Sequence, residues 1–336
     1  MPNRECKSAS HLHRRRFTRY LYAVATILIV LIALSSEVSL LPVKAEPNTR
    51  IELGFTVHEF NEIQGQMLGN SGSKWVRMDV DDEVVPSMQA ANGYRRYGQQ
   101  VLAILNEWSI KSSIRQTFSL DDWKRTVTVA ATKLKGQVQA YEIWNEPDLP
   151  EYHYGYMDGS PQHYVDMLKA AYTTIKSIDP QAIVVGGSIA DPLNRWGAGS
   201  DKFIANILNL GARNYIDAFS IHLYYKEDWT VDYGTIVTNI ATQTGKPVWV
   251  TETGETSAGQ GKTEALQTFY LGKRFQQMMN CTQRPAVIIW YEFYDAETSG
   301  SSAYGVFAQG FTPKLSYSLF AHFANSTLLV RRLTSG

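Results

Sequence analysis

The chain has 336 residues with 32 basic and 32 acidic side chains, a length that suits one large barrel or two ordinary domains. Seven of the Lys and Arg but only two of the Asp and Glu fall within residues 1–45, which leaves 25 basic against 30 acidic residues in the remainder. Such a mildly acidic body argues against a nucleic-acid partner, because phosphate neutralisation needs a basic surface.

The basic excess sits at the N-terminus. Arg14, Arg15, Arg16 and Arg19 precede an uncharged apolar run over residues 21–35, and Val43-Lys44-Ala45 fits a small-residue cleavage site. Residues 1–45 are therefore expected to be an export signal and residues 46–336 the mature body, in a secreted, periplasmic or cell-envelope location. An uncleaved anchor is the alternative, because the apolar run lies far from Ala45. That run is nevertheless shorter than the ~20 residues needed to span a bilayer. Arg14-Arg15-Arg16-Phe17 also loosely matches a twin-arginine signal. No later stretch suits a bilayer. Once Cys6 is removed with the signal, Cys281 is the one cysteine left, so no intramolecular disulfide can form and stability must rest on a large core. Beside Met278 and Met279, Cys281 reads as a structural thiol.

From residue 51 onward, β-branched runs alternate with amphipathic stretches. The pattern predicts eight strands, at 51–57, 74–80, 100–105, 137–144, 182–187, 218–223, 247–252 and 286–293. Helical spacing is clearest at 121–134, capped by Ser119 and followed by Gly136. It is clear also at 162–178 before Asp179-Pro180, at 265–279 and at 316–328. Near-continuous apolar strands separated by helices imply a parallel sheet covered on both faces. Eight such units predict an α/β fold, a single-domain (β/α)8 TIM barrel. A doubly wound open sheet is the alternative, but Gly54 stands alone where that fold places a glycine-rich turn.

A barrel of this kind carries its active site at the C-terminal ends of the strands. The polar residues closing each predicted strand are His58 and Glu59, then Arg77, Asp79 and Asp81, then Asn106 and Trp108, then Asn145 and Glu146. His222 and Tyr224 follow on the sixth strand, Glu252 on the seventh, and Trp290 and Glu292 on the eighth. Cleavage of a glycosidic bond needs an acid for the leaving oxygen and a second carboxylate at the anomeric carbon. Glu146 fits the acid/base and Glu252 the nucleophile. Asn145 is placed to donate to a sugar 2-hydroxyl. Arg77 is placed to hold Glu252 ionised, and Tyr224 to donate to it. Glu142 shares the parity of Glu146 and is expected to pair with Arg77 as a structural bridge rather than to catalyse. Aromatic residues on the mouth loops, among them Tyr152, Tyr154, Tyr156 and Trp229, suit stacking against sugar rings, although only part of the tyrosine set can face a ligand. The histidines at 58, 153 and 163 show no metal-ligand spacing.

The run Tyr141-Glu142-Ile143-Trp144-Asn145-Glu146-Pro147 resembles the acid/base strand of the clan A retaining glycoside hydrolases, and within that clan it is similar to family 39, with family 5 as the near alternative. Supporting matches follow in chain order at Arg77, Ser220-Ile221-His222-Leu223-Tyr224, Thr251-Glu252-Thr253-Gly254, Trp290-Tyr291-Glu292-Phe293 and Tyr304-Gly305-Val306-Phe307. The resemblance implies a retaining enzyme with a glycosyl-enzyme intermediate on Glu252, with Glu146 as acid/base and with no required metal or other cofactor. It implies carbohydrate binding at Asn145, Arg77, His222, Tyr224, Trp290, His58, Tyr154 and Trp229, in a monomer acting on a β-linked polysaccharide or oligosaccharide. Family 39 members often carry an accessory β-domain after the barrel, and only about 20 residues follow Pro313-Lys314 here. A non-catalytic glycan-binding scaffold of an envelope polysaccharide assembly is the competing reading. It has no need of two convergent glutamates.

Overall fold

The computed structural model describes residues 51–333 apart from 196, 198, 226–229 and 296–302, with side chains as far as residue 326. The expected export signal and Trp229 therefore lie outside the described residues.

Eight strands run in chain order: β1 (Glu52–Thr56), β2 (Trp75–Asp79), β3 (Gln100–Leu105), β4 (Ala140–Ile143), β5 (Ile183–Ile189), β6 (Ala218–Leu223), β7 (Val248–Thr253) and β8 (Val287–Trp290). They pair in parallel with their sequence neighbours, and β1 closes on β8. The sheet is thus a closed (β/α)8 TIM barrel and not an open doubly wound sheet. Eight α-helices are described: α1 (Glu62–Ser71), α2 (Val84–Arg96), α3 (Leu120–Leu134), α4 (Pro161–Ile178), α5 (Ser200–Asn209), α6 (Tyr233–Thr244), α7 (Glu264–Asn280) and α8 (Leu315–Leu333). None of the described helices is long and apolar enough to cross a membrane.

The helix starts follow local chemistry. Ser119 caps α3 by accepting from Asp122 N, while Asp122 reaches back to the Ser119 N–H, a reciprocal capping box. Thr263 and Asn61 cap α7 and α1 in the same sense. Phe320 on α8 stacks on Phe55 of β1 at 3.9 Å between ring centroids, which closes the helical layer over the seam between β8 and β1.

Inside the barrel, Trp75, Leu102, Ala140, Val185, Ala218, Trp249, Val287 and Ile289 form one buried layer below the mouth. Trp75 and Trp249 meet edge to face at 4.9 Å across it. Gly54 makes room for this plug. A Cβ there would lie 2.5 Å from the Trp75 carbonyl oxygen and 2.6 Å from Ile289 Cδ1. The lone glycine of the first strand thus serves barrel packing and not a phosphate turn.

Two irregularities aim residues at the mouth. On β7, Val250 faces Ile221 and Ile288, whereas Glu252 faces His222 and Thr253 faces Trp290, so Thr251 is one residue too many on this strand. Such a bulge reverses the alternation beyond it. Trp249 and Thr251 would otherwise share the barrel face and Glu252 would point outward. A matching shift on β5 falls at Gly187 and Ser188, where a Cβ on Gly187 would meet the Ser220 carbonyl oxygen at 2.5 Å.

Removing the indole from the barrel floor should leave a cavity with little means of collapse. Trp249→Ala is expected to cost about 3–5 kcal/mol in urea-induced unfolding.

Candidate active site

The strand ends surround a cleft of about 690 Å³, lined by Thr56, His58, Arg77, Asp79, Asn106, Glu107, Trp108, Asn145, Glu146, Tyr152, Tyr224, Glu252, Tyr291 and Tyr304. Of the residues singled out from the sequence, His58, Arg77, Asn145, Glu146, Tyr224 and Glu252 come together here. Asp79, Asn106 and Trp108, which close the second and third strands, join them.

Glu252 is held from two sides. Arg77 Nη1 donates to its Oε1 at 2.6 Å, and the Tyr224 hydroxyl donates to its Oε2 at 2.6 Å. The same guanidinium donates through Nε to Glu142 Oε2 at 2.6 Å and through Nη2 to Asn145 Oδ1 at 3.2 Å. Arg77 is buried, as is Glu142, whose second oxygen accepts from Ser188 Oγ at 2.7 Å. Glu142 is thus a structural partner within the barrel and does not line the cleft.

Glu146 stands where β4 ends. The backbone takes left-handed φ values at Trp144 (71°) and Glu146 (43°), a conformation that costs non-glycine residues about 1–3 kcal/mol each. The first kink sends the Trp144 indole away from the barrel, into ring contact with Phe118 and Trp123 at 5.7 and 5.8 Å, where its Nε1 donates to the Tyr152 carbonyl oxygen. Asn145 and Glu146 are left facing the mouth. Beyond them, the buried Asp148 carboxylate accepts from Ala190 N at 3.1 Å and from Ser200 Oγ at 2.6 Å, pinning the β4 loop to the β5 loop.

His222 links the two glutamates. Its Nδ1 lies 2.7 Å from Glu146 Oε1 and its Nε2 lies 3.9 Å from Glu252 Oε1. Burial lowers the affinity of this imidazole for a proton, but the charges of Glu252 and Glu146 outweigh it and push the His222 pKa up. The two carboxyls are polarised in opposite directions. Burial raises the Glu146 pKa, and the neighbouring charge of Glu252 adds to the rise against the opposing pull of His222. Burial also acts to raise Glu252, but His222, Arg77 and the Tyr224 hydroxyl together hold it below the usual carboxylate range.

One ligand atom each of Glu146, His222 and Glu252 lie within 4.8 Å of one another, a spacing that can hold a metal ion. The histidines at 58, 153 and 163, which show no metal-ligand spacing in the sequence, are not part of it. Arg77 and His222 already bring positive charge to this point.

Three expected sugar contacts are corrected. His222 is fully buried and outside the cleft lining, so it acts on the site through Glu146 and Glu252 and not by touching a sugar. Trp290 is 0% exposed and does not line the cleft. Val287 and Ile289 occupy the barrel layer, so Trp290 points to the helices, where it meets Phe275 of α7 at 6.2 Å and donates from Nε1 to the Tyr304 carbonyl oxygen. Tyr291, next in alternation, takes the mouth and meets Tyr304 edge to face at 5.7 Å. Tyr154 is also absent from the lining. It sits in a tight turn with Met157 and packs against the core, and Tyr152, at the end of a short 3-10 turn, reaches the cleft instead.

Glu107, Thr56 and Tyr304 escaped the sequence reading. Period-two counting from Phe55 and Val57, whose side chains pack in the core outside the barrel, points Thr56 inward. Glu107 lies past the strand end, where no alternation applies. His58 lines the rim and lies 2.8 Å from Glu292 through Nε2. That contact is the leading cause of its raised pKa.

A barrel with a pair of oppositely polarised carboxyls at its C-terminal mouth is the architecture of a hydrolase acting on glycosidic bonds. The chain matches the glycosyl hydrolase catalytic core family over residues 112–308 and belongs to it. The fold is similar to that of a family 39 glycoside hydrolase from Bacteroides cellulosilyticus WH2, with a TM-score of 0.64, 20% identity, 84% of this chain and 64% of that one. It is similar also to a family 39 β-xylosidase from Caulobacter crescentus, at 0.64, 16%, 84% and 73%, and to a glucosidase from Croceicoccus marinus, at 0.68, 15%, 84% and 69%. The chain thus spans just under two thirds of the Bacteroides protein. No curated protein is significantly similar to it in sequence.

The opposite polarisation is directly measurable. In a carbon-13 NMR titration, Glu252 should titrate below and Glu146 above the ordinary glutamate value of about 4.3. Arg77→Met removes a cation, so the Glu252 midpoint should move upward.

Proposed function

We propose that the protein is a retaining glycoside hydrolase that cleaves β-glycosidic bonds in a polysaccharide or oligosaccharide. The observation that carries this reading is the pairing of Glu146, whose pKa burial raises, with Glu252, whose pKa His222, Arg77 and Tyr224 hold down against burial. Their nearest ligand oxygens lie within 4.8 Å. The two carboxyls therefore flank one site, as a pair that acts on a single glycosidic bond must.

In the first step a Glu252 carboxylate oxygen attacks the anomeric carbon. The bond from that carbon to the leaving oxygen breaks, and the leaving oxygen takes the Glu146 proton. In the second step Glu146, now a base, takes a proton from water while the water oxygen displaces Glu252 from the sugar. Asn145, fixed by Arg77, faces the sugar 2-hydroxyl, and Tyr224 keeps one Glu252 oxygen hydrogen-bonded throughout. A protein that only binds glycans has no use for two convergent glutamates. The proposal includes export by residues 1–45, action in the cell envelope or outside it, and a monomeric enzyme that uses no cofactor.

Three measurements test it. Glu146→Gln should lower kcat/KM on an unactivated oligosaccharide by about 10²–10⁴-fold, while a substrate with an activated leaving group loses far less. Equal loss on both would remove Glu146 from the acid role. Glu252→Gly with azide should yield a glycosyl azide of inverted configuration, and the wild-type product, followed by proton NMR, should retain the substrate configuration. The profile of kcat/KM should rise with pH as Glu252 ionises, from below the usual carboxylate range, and fall as Glu146 loses its proton above that range. Arg77→Met should move the acidic limb to higher pH.

A further inference from the structure

The wall of the cleft at the end of β3 carries groups that the proposed chemistry does not use. Asn106 caps a single 3-10 turn, Glu107–Ser109, with a reciprocal capping box to Ser109, and donates from Nδ2 to Asp79 Oδ1 at 2.7 Å. That double tether fixes the two residues which follow. Glu107 lines the cleft but is only 5% exposed, and its Oε2 has no hydrogen-bond partner among the described residues. A buried polar atom without a partner is costly, so a ligand hydroxyl that satisfies this one at the cleft wall is favoured. Trp108, next in sequence, is 53% exposed and lines the same wall. The Arg115 guanidinium sits 4.4 Å from its ring centroid, covering one face and holding the indole in place.

A fixed carboxyl beside a fixed, half-exposed indole is complementary to one kind of ligand. A pyranose ring offers an apolar C–H face to the indole and adjacent hydroxyls to the carboxyl. We propose that Glu107 and Trp108 form a sugar subsite next to the cleaved bond, with Trp108 as the stacking platform and Glu107 bridging two hydroxyls. The subsite selects a neutral ring over a uronic acid, because Asp79 and Glu107 on the same wall repel a second carboxylate. The proposal rests on the glycosidase reading and adds to it the class of sugar and the residues that choose it.

The test uses binding, so that it stands apart from turnover. In a Glu252→Gln background, cellohexaose, xylohexaose, β-1,4-mannohexaose and a β-1,4-mannuronate hexasaccharide are titrated calorimetrically. The last two differ only in the C6 carboxylate. At least one neutral hexasaccharide should bind, and Glu107→Ala and Trp108→Ala should each weaken that binding by about 10–100-fold. The mannuronate should bind at least about 10-fold more weakly than mannohexaose, with the gap narrowing in Glu107→Gln, which removes negative charge from the wall. A merely structural role for Glu107 would leave that ratio unmoved. Trp108 is exposed, so its replacement spares the fold, and thermal unfolding checks the Glu107 variants. Unchanged affinity in the Glu107→Ala and Trp108→Ala variants, a preference for the uronate, or no binding by any of the four overturns the subsite. Hydrolysis by the wild-type protein is scored separately. Hexasaccharide binding that depends on Glu107 and Trp108 without cleavage would overturn the glycosidase reading and leave the subsite standing.

Discussion

The site depends on one buried cation. Arg77 crosses the barrel mouth from β2 and is shared by Glu142 on β4, Glu252 on β7 and Asn145 past the end of β4. Burying a guanidinium is tolerable only when carboxylates compensate it, and burying two carboxylates close together is tolerable only with a cation between them. Each group is the condition for the others. Three non-adjacent strands are therefore locked in one register by a contact that, with His222, also lowers the Glu252 pKa. Glu142 has no access to substrate, yet its second oxygen is satisfied by Ser188 on β5, which extends the same network to a fourth strand.

A parallel barrel supplies alternating side chains, but an active site needs groups at heights and angles that alternation alone does not give. The extra residue at Thr251 turns Glu252 inward, and the left-handed kink at Trp144 turns that indole out while leaving Asn145 and Glu146 at the mouth. Both departures carry a local cost, and both are held by packing. Trp144 is clamped between Phe118 and Trp123. The turn after β7 is tied down by Arg274, which donates to the Gly254 carbonyl oxygen at 2.6 Å and to Glu255 Oε2 at 3.0 Å. The rigid frame thus supplies the precision that carboxyl chemistry needs.

Much of this was legible in the sequence, for physical reasons. Buried parallel strands are apolar on both faces, so each stands out as a short β-branched run, and the strand cores fall within the predicted limits with two exceptions, β5, which runs two residues further, and β7, which runs one residue further. The convergence of Glu146, Glu252, Arg77, Asn145, His222 and Tyr224 followed from placing strand ends on one mouth. Trp290 was misplaced because the phase of β8 was not counted from Val287 and Ile289. Tyr154 was misplaced because a tight turn breaks the chain before it reaches the cleft. Glu107 was invisible because its position depends on a 3-10 turn beyond the strand, and the β7 bulge was invisible because it is a property of register between chains of residues far apart in sequence.

The barrel floor has a consequence for traffic. With Trp75 and Trp249 filling the lumen and Gly54 giving them room, the described residues close the barrel from below. The cleft opens at the C-terminal ends of the strands. Under the proposed two-step scheme, the departing half of the glycan and the incoming water must use it in turn, so water reaches the anomeric carbon only after the leaving group has vacated the Glu146 side. A sealed floor thereby imposes a sequence of events on the reaction, and any alcohol lingering at the mouth competes with water for the same carbon.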